Sequence, residues 1–196
     1  MTDLTPSAVA AQAEDRPAVT VALPVAGPAQ TRLLGKRLAS LLRQGDLVVL
    51  AGALGAGKTT LTTGIGAGLG VRGPVTSPTF VIARVHPSLT GGPDLVHADA
   101  YRLGSRLEVD DLDLDADLDH SVTVVEWGEG LVENLASGHL LVTITWPGPE
   151  PPAGPCATPD GQDGAGDEVR HVVLAGFGAR WAAAADELRA VLAAPE

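Results

Sequence analysis

The stretch LVVLAGALGAGKTT, residues 47–60, decides the fold. Residues 52–59 match the phosphate-binding loop pattern G-x-x-x-x-G-K-[ST] at every fixed position. The five residues before it, Leu47 through Ala51, form a short continuous apolar run suited to a buried parallel strand. Residues 60–69 read as a helix, so the loop lies between strand and helix, where its chemistry requires it. Glycines allow backbone N–H groups to turn inward around phosphate oxygens, and the helix N-terminus adds a positive dipole end. Lys58 has the reach for β- and γ-phosphates, and the Thr59 hydroxyl is suited to Mg²⁺. Glycine is common in this chain, at 24 of 196 residues, but Lys36 and Lys58 are its only lysines, so a lysine in this register carries information.

Composition sets outer limits. A chain of 196 residues suggests one domain with a sizeable core, expected over residues 18–196. Only 3% of residues are aromatic, so Val, Leu and Ala must fill that core. The single cysteine, Cys156, rules out an internal disulfide and suits a reducing cytoplasm. No apolar run approaches the length of a membrane span, and no secretory signal is visible at the N-terminus. The net charge of −11 argues against a broad basic face gripping nucleic acid directly, so an RNA connection would run through a partner protein.

Residues 1–17 show no period and read as a disordered tail. A strand is expected at 19–25 and a helix at 28–43, with Leu34, Leu38, Leu41 and Leu42 on one face. The runs 81–86 and 94–101, separated by Gly91-Gly92-Pro93, read as a hairpin beside the phosphate loop. The acidic, leucine-spaced run 108–119 reads as a short amphipathic helix; no register supplies both the Gly and the Glu of a calcium loop. Residues 121–127 are an apolar strand ending in Glu126 and Trp127. A second carboxylate at such a strand end holds Mg²⁺ or its water shell in phosphate-loop nucleotidases; the plainer alternative is a cap for the next helix. A short helix is expected at 131–135. The alternation of Leu140, Val142, Ile144 and Trp146 suggests an antiparallel strand near a sheet edge. Residues 147–167, rich in Pro, Gly and Asp, read as a mobile loop, followed by a strand at 168–174 and a helix at 179–194.

GALGAGKTT (52–60), SPTF (77–80), HADAYRL (97–103) and VEW (125–127) occur in that order, and the ordered set is specific. With them the chain resembles the TsaE (YjeE) family, small bacterial ATPases needed to make threonylcarbamoyladenosine in tRNA. The resemblance covers roughly residues 19–146. It implies an α/β fold, a phosphate-loop NTPase-like three-layer sandwich with a mixed parallel and antiparallel sheet. It implies ATP and Mg²⁺ as ligands, slow hydrolysis, and docking on the threonylcarbamoyl transferase subunit and its dimerisation partner (TsaD and TsaB types). The protein would reset that complex between turnovers rather than modify adenosine 37 itself.

Carried onto this chain, the resemblance makes Gly52, Ala53, Leu54, Gly55, Ala56, Gly57, Lys58, Thr59 and Thr60 the nucleotide-binding loop. Lys58 would neutralise phosphate charge, and Thr59, Glu126 and Asp99 would form the metal side. Lys58, Asp99 and Glu126 would carry the catalysis, with Asp99 ordering metal or attacking water. Residues 77–80 would act as a switch-like loop, and Trp127 would lie near the nucleotide. The family often has Asp where this chain has Ala53, so whatever contact that Asp makes is absent.

His97 reads as a core histidine or one supporting the site, and Arg102 as phosphate-facing, as a surface residue or as paired with a carboxylate. The other histidines lack metal-ligand spacing. Two rival functions stay open: a small-molecule kinase of the phosphate-loop class, and a nucleotide-dependent binding switch whose hydrolysis is incidental. A kinase lid usually carries arginines, and 147–167 contains none.

Overall fold

The computed structural model describes residues 16–78, 83–101, 118–146 and 169–193. The expected N-terminal tail up to residue 15, the 147–167 loop, residues 79–82, Arg102 and the acidic run up to residue 117 lie outside them. The elements in chain order are β1 (Val19–Ala26), α1 (Gly27–Ala39), β2 (Leu47–Ala51), α2 (Lys58–Leu69), β3 (Ala83–His86) and β4 (Asp94–Asp99). There follow β5 (Ser121–Glu126), β6 (His139–Thr145), β7 (Val169–Gly176), α3 (Gly178–Ala183) and α4 (Ala185–Ala193).

The strands form one mixed sheet in the order β1-β7-β6-β2-β5-β4-β3. Its centre is parallel: β4 with β5, β5 with β2, and β2 with β6. Its flanks are antiparallel, through β3 with β4 on one side, and through β6 with β7 and β7 with β1 on the other. The hairpin expected from the 81–86 and 94–101 runs is therefore present as β3–β4.

All five residues of β2 are buried, which is why that run carries no polar alternation. On one face Val48 and Leu50 join Leu34 and Leu38 of α1, Leu61 and Ile65 of α2, and Trp181 and Leu188 of the C-terminal helices in one apolar cluster. On the other face Leu47 and Val49 meet Val96, Ala98, Val125, Leu118 and Val132 in a smaller cluster. Among the described residues that face is covered by short 3-10 turns, Leu118–His120 and Glu133–Leu135, rather than by long helices.

Helices α1 and α2 meet backbone to backbone. A Cβ on Gly64 would run into the carbonyl oxygen of Arg32, and one on Gly35 into that of Leu61. Glycine in a helix interior costs about 1 kcal/mol relative to Ala. Here it brings α2, and the loop that starts it, hard against α1.

Three expectations need correction. Strand β6 is not at an edge: it lies between β2, to which it is parallel, and β7, to which it is antiparallel. Its alternation arises because Leu140, Val142 and Ile144 enter the larger cluster while the other face is only partly covered. Helix α1 stops at Ala39, not 43, because the Ser40 hydroxyl donates to Arg37 O at 2.7 Å and the chain turns. The final helix is interrupted at Ala184, and no Gly or Pro marks the break.

Candidate functional site

The carboxyl ends of β2, β4 and β5 open on one side of the sheet, where α/β proteins bind ligands. Register places Leu50 of β2 beside Glu126 of β5, and Glu126 beside Asp99 of β4. The side chains of Glu126 and Asp99 thus share a face with each other and with α2.

The loop from Gly52 to Gly57 departs from β2 through backbone angles that demand glycine: φ is 136° at Gly52 and 114° at Gly57. Gly57 is the N-cap of α2 and carries no side chain to satisfy the first amides of the helix. Lys58, Thr59 and Thr60 therefore start α2 with backbone donors aimed outward, an arrangement suited to an anion. Lys58 is 4% exposed and its ammonium donates to Gly52 O at 2.8 Å and Ala53 O at 2.9 Å. Burial pulls its pKa down, and the nearby carboxylates of Glu126 and Asp99 oppose that.

The acidic side is built across the sheet. The Thr59 hydroxyl donates to Glu126 Oε1 at 2.8 Å and Oε2 at 3.0 Å. His97, fully buried on β4, places Nε2 at 2.9 Å from Glu126 Oε1. A carboxylate can only accept, so that ring nitrogen donates. Asp99 accepts the Ser77 hydroxyl at 3.3 Å and the Tyr101 amide at 3.0 Å. Glu126 therefore does not cap the following segment; it reaches the first turn of α2. Thr59, Glu126 and His97 are one hydrogen-bonded group, and Ser77 with Asp99 is a second, set beside it by the register of β4 and β5. Among the described residues no three His, Cys, Asp or Glu side chains form a ready metal cage. The hydroxyl of Thr59 and the two carboxylates are hard oxygen donors of the kind Mg²⁺ takes alongside phosphate and water.

Trp127 follows directly, with φ at 61°, the one non-glycine residue in the left-handed region among those described. Such strain persists where surroundings hold it. Its amide donates to Leu50 O at 2.9 Å, Lys58 Nζ stands 3.6 Å from its ring centroid, and Tyr101 lies at 5.1 Å between centroids. Trp127 is thus at the lysine end of the loop.

Two neighbours of the loop had no sequence signal. Arg170 of β7 donates from Nε to Ala56 O at 3.1 Å. Trp146, just past β6, would meet a Cβ built on Gly55 at 3.7 Å. Both come from strands on the side away from Glu126, and only the sheet order brings them to the loop.

A family model described as "Threonylcarbamoyl adenosine biosynthesis protein TsaE" matches residues 25–149. A protein of Streptomyces coelicolor named "tRNA threonylcarbamoyladenosine biosynthesis protein TsaE" is 60% identical over 154 residues, covering 78% of this chain and 95% of that one. The Bacillus subtilis protein of the same name is 33% identical over 162 residues, covering 82% and 89%. The crystal structure of Bacillus subtilis YdiB superposes with a TM-score of 0.62 at 28% identity, over 87% of this chain and 95% of that one.

Proposed function

The chain belongs to the TsaE family of tRNA threonylcarbamoyladenosine biosynthesis, a phosphate-loop family, and from that premise we propose that it is the Mg²⁺-dependent ATPase of that pathway. The observation that carries this reading is the Thr59–Glu126 hydrogen bond, which joins the phosphate loop to the carboxylate at the end of the neighbouring strand. In this reading the loop amides and Lys58 bind the β- and γ-phosphates of ATP. Thr59, Glu126 and Asp99 hold Mg²⁺, directly or through water; when bound, the ion neutralises charge on the phosphates. His97 keeps Glu126 in place, and Asp99 orders the attacking water. Little covalent help is needed in phosphoryl transfer, so positioning and charge carry the rate.

The client is the threonylcarbamoyl transferase subunit with its dimerisation partner, in the cytoplasm. ATP turnover resets that complex between rounds of adenosine 37 modification. The acidic net charge of −11 supports contact with partner proteins rather than with tRNA itself. No described helix is long and apolar enough to cross a membrane.

The test is threonylcarbamoyladenosine content by nucleoside mass spectrometry in cells depleted of this protein. Wild type should restore it and Lys58→Ala should not. Content unaffected by depletion would sink the role in modification. Rescue by Lys58→Ala would detach that role from the phosphate loop.

A further inference from the structure

We infer that Trp146 is the platform on which the nucleobase of the bound nucleotide stacks. The inference rests on the nucleotide reading above and goes beyond it by naming the residue that holds the base.

Direction comes first. Strand β2 delivers the phosphate loop and has a parallel neighbour on each side, β5 and β6. The β5 side carries Glu126, Asp99 and the Thr59 hydroxyl, groups suited to the γ-phosphate and its cation. The nucleoside must then leave the loop on the other side, across the carboxyl end of β6. Trp146 is the side chain immediately beyond that end.

The indole is also set against the loop itself. Its Cζ3 lies 3.7 Å from where a Gly55 Cβ would stand, so the ring borders the crest of the loop. Arg170 is tied to Ala56 O at 3.1 Å, and its guanidinium carbon stands 5.7 Å from the indole centroid. One residue from β7 therefore bridges loop and ring, keeping their spacing fixed. Trp146 is half-buried, so part of its surface remains open to a ligand. The competing aromatic, Trp127, is engaged by Lys58 at 3.6 Å and by Tyr101 on the acidic side. A base there would lie at the wrong end of the triphosphate.

Base–aromatic stacking tolerates any base and is lost on truncation to Ala. The experiment measures calorimetric binding of ATP and of inorganic tripolyphosphate, each with Mg²⁺, to wild type, Trp146→Ala and Trp146→Phe. Trp146→Ala should weaken ATP binding roughly tenfold or more and leave tripolyphosphate binding unchanged, while Trp146→Phe retains most ATP affinity. Equal losses for both ligands would mean that Trp146 acts through the loop, and no loss for either would mean that the base lies elsewhere; both overturn the platform. Wild type binding tripolyphosphate as tightly as ATP would overturn it too, with the phosphate loop intact. Wild type binding neither would bring down the nucleotide reading itself, and the platform with it.

Discussion

Thr59 and Glu126 are 67 positions apart in sequence, yet one hydroxyl of the first turn of α2 donates to both carboxylate oxygens at the end of β5, at 2.8 and 3.0 Å. The bond exists because β5 is the parallel neighbour of β2, in register from Leu47–Thr123 to Leu50–Glu126. It assigns Glu126 to the phosphate loop rather than to the segment that follows it.

The first prediction concerns that carboxylate. Glu126→Gln keeps the size of the side chain and one acceptor but removes the charge. ATP hydrolysis should fall on the order of 10²–10³-fold, as for loss of one preorganised electrostatic contact. ATP binding, held by the loop and Lys58, should survive. Phosphate-release assays beside calorimetry check the split. If the variant binds ATP, fails to cleave it and still supports repeated tRNA modification, occupancy alone suffices and the binding-switch reading wins.

A second prediction lies far from the site. Arg180 of α3 donates from Nε to Asp46 Oδ1 at 3.0 Å and from Nη2 to Oδ2 at 2.9 Å, and also to Leu41 O at 2.7 Å. Asp46 is 3% exposed and stands just ahead of β2. Arg180→Leu would leave that carboxylate buried with only the Arg43 amide, at 3.0 Å, as a partner among the contacts described. Breaking one side of such a pair costs about 3–5 kcal/mol. Thermal unfolding should show a drop of roughly ten degrees for a chain of this size. The double variant Asp46→Asn/Arg180→Leu should lose less than the two singles combined. Strict additivity would show that the pair is not coupled.

Gly64 gives a third. Its missing Cβ is what lets α2 lie on the Arg32 carbonyl. Gly64→Ala should destabilise the fold by about 2 kcal/mol or more, despite the better helix propensity of Ala, because backbone must move. Gly92→Ala is the control: its nearest neighbours beyond the adjacent residues are hydroxyl oxygens of Thr90 and Ser88 at 3.7 and 3.8 Å. Denaturant melts of both variants decide it. Equal stability would remove the steric account of the crossing.

How much of this was legible depends on how local each signal is. The phosphate loop, its strand and its helix are contiguous, so residues 47–69 could be read directly. Glu126 could be picked as a strand-end carboxylate and Asp99 through the family resemblance of HADAYRL (97–103), and register then puts them side by side. Sheet order is non-local, and that is where reading failed. The alternation of β6 reports one covered face, which an edge strand and an interior strand with a thinly covered second face both produce. Arg170 meets Ala56 across 114 positions and Arg180 meets Asp46 across 134, and neither arginine lies in a motif. From sequence His97 reads only as a core or supporting histidine. Its bond to Glu126 follows from β4 and β5 pairing in parallel, which no spacing within residues 94–99 announces.

The last prediction is a pH dependence. His86 on β3 is 4% exposed, its Nδ1 lies 3.3 Å from Arg72 O, and its Nε2 has no partner among the described residues. Burial is the main cause that holds its pKa below the usual histidine value; the Arg72 carbonyl opposes this, while His97 and Arg84 add to it. His139, stacked on Phe177 at 4.6 Å between centroids, is also lowered, chiefly by burial and against the pull of Glu133. For a lowered histidine the unfolded chain binds the proton first. Stability is therefore full above about 6.5 and falls as the pH drops below that value toward the folded-state pKa, by at most about 1.4 kcal/mol per pH unit for each proton taken up. Urea melts between neutral pH and pH 5 should show the decline, and His86→Phe should make it shallower. A variant that declines as steeply as wild type would clear His86 of the effect and leave His139 or the carboxylates to account for it.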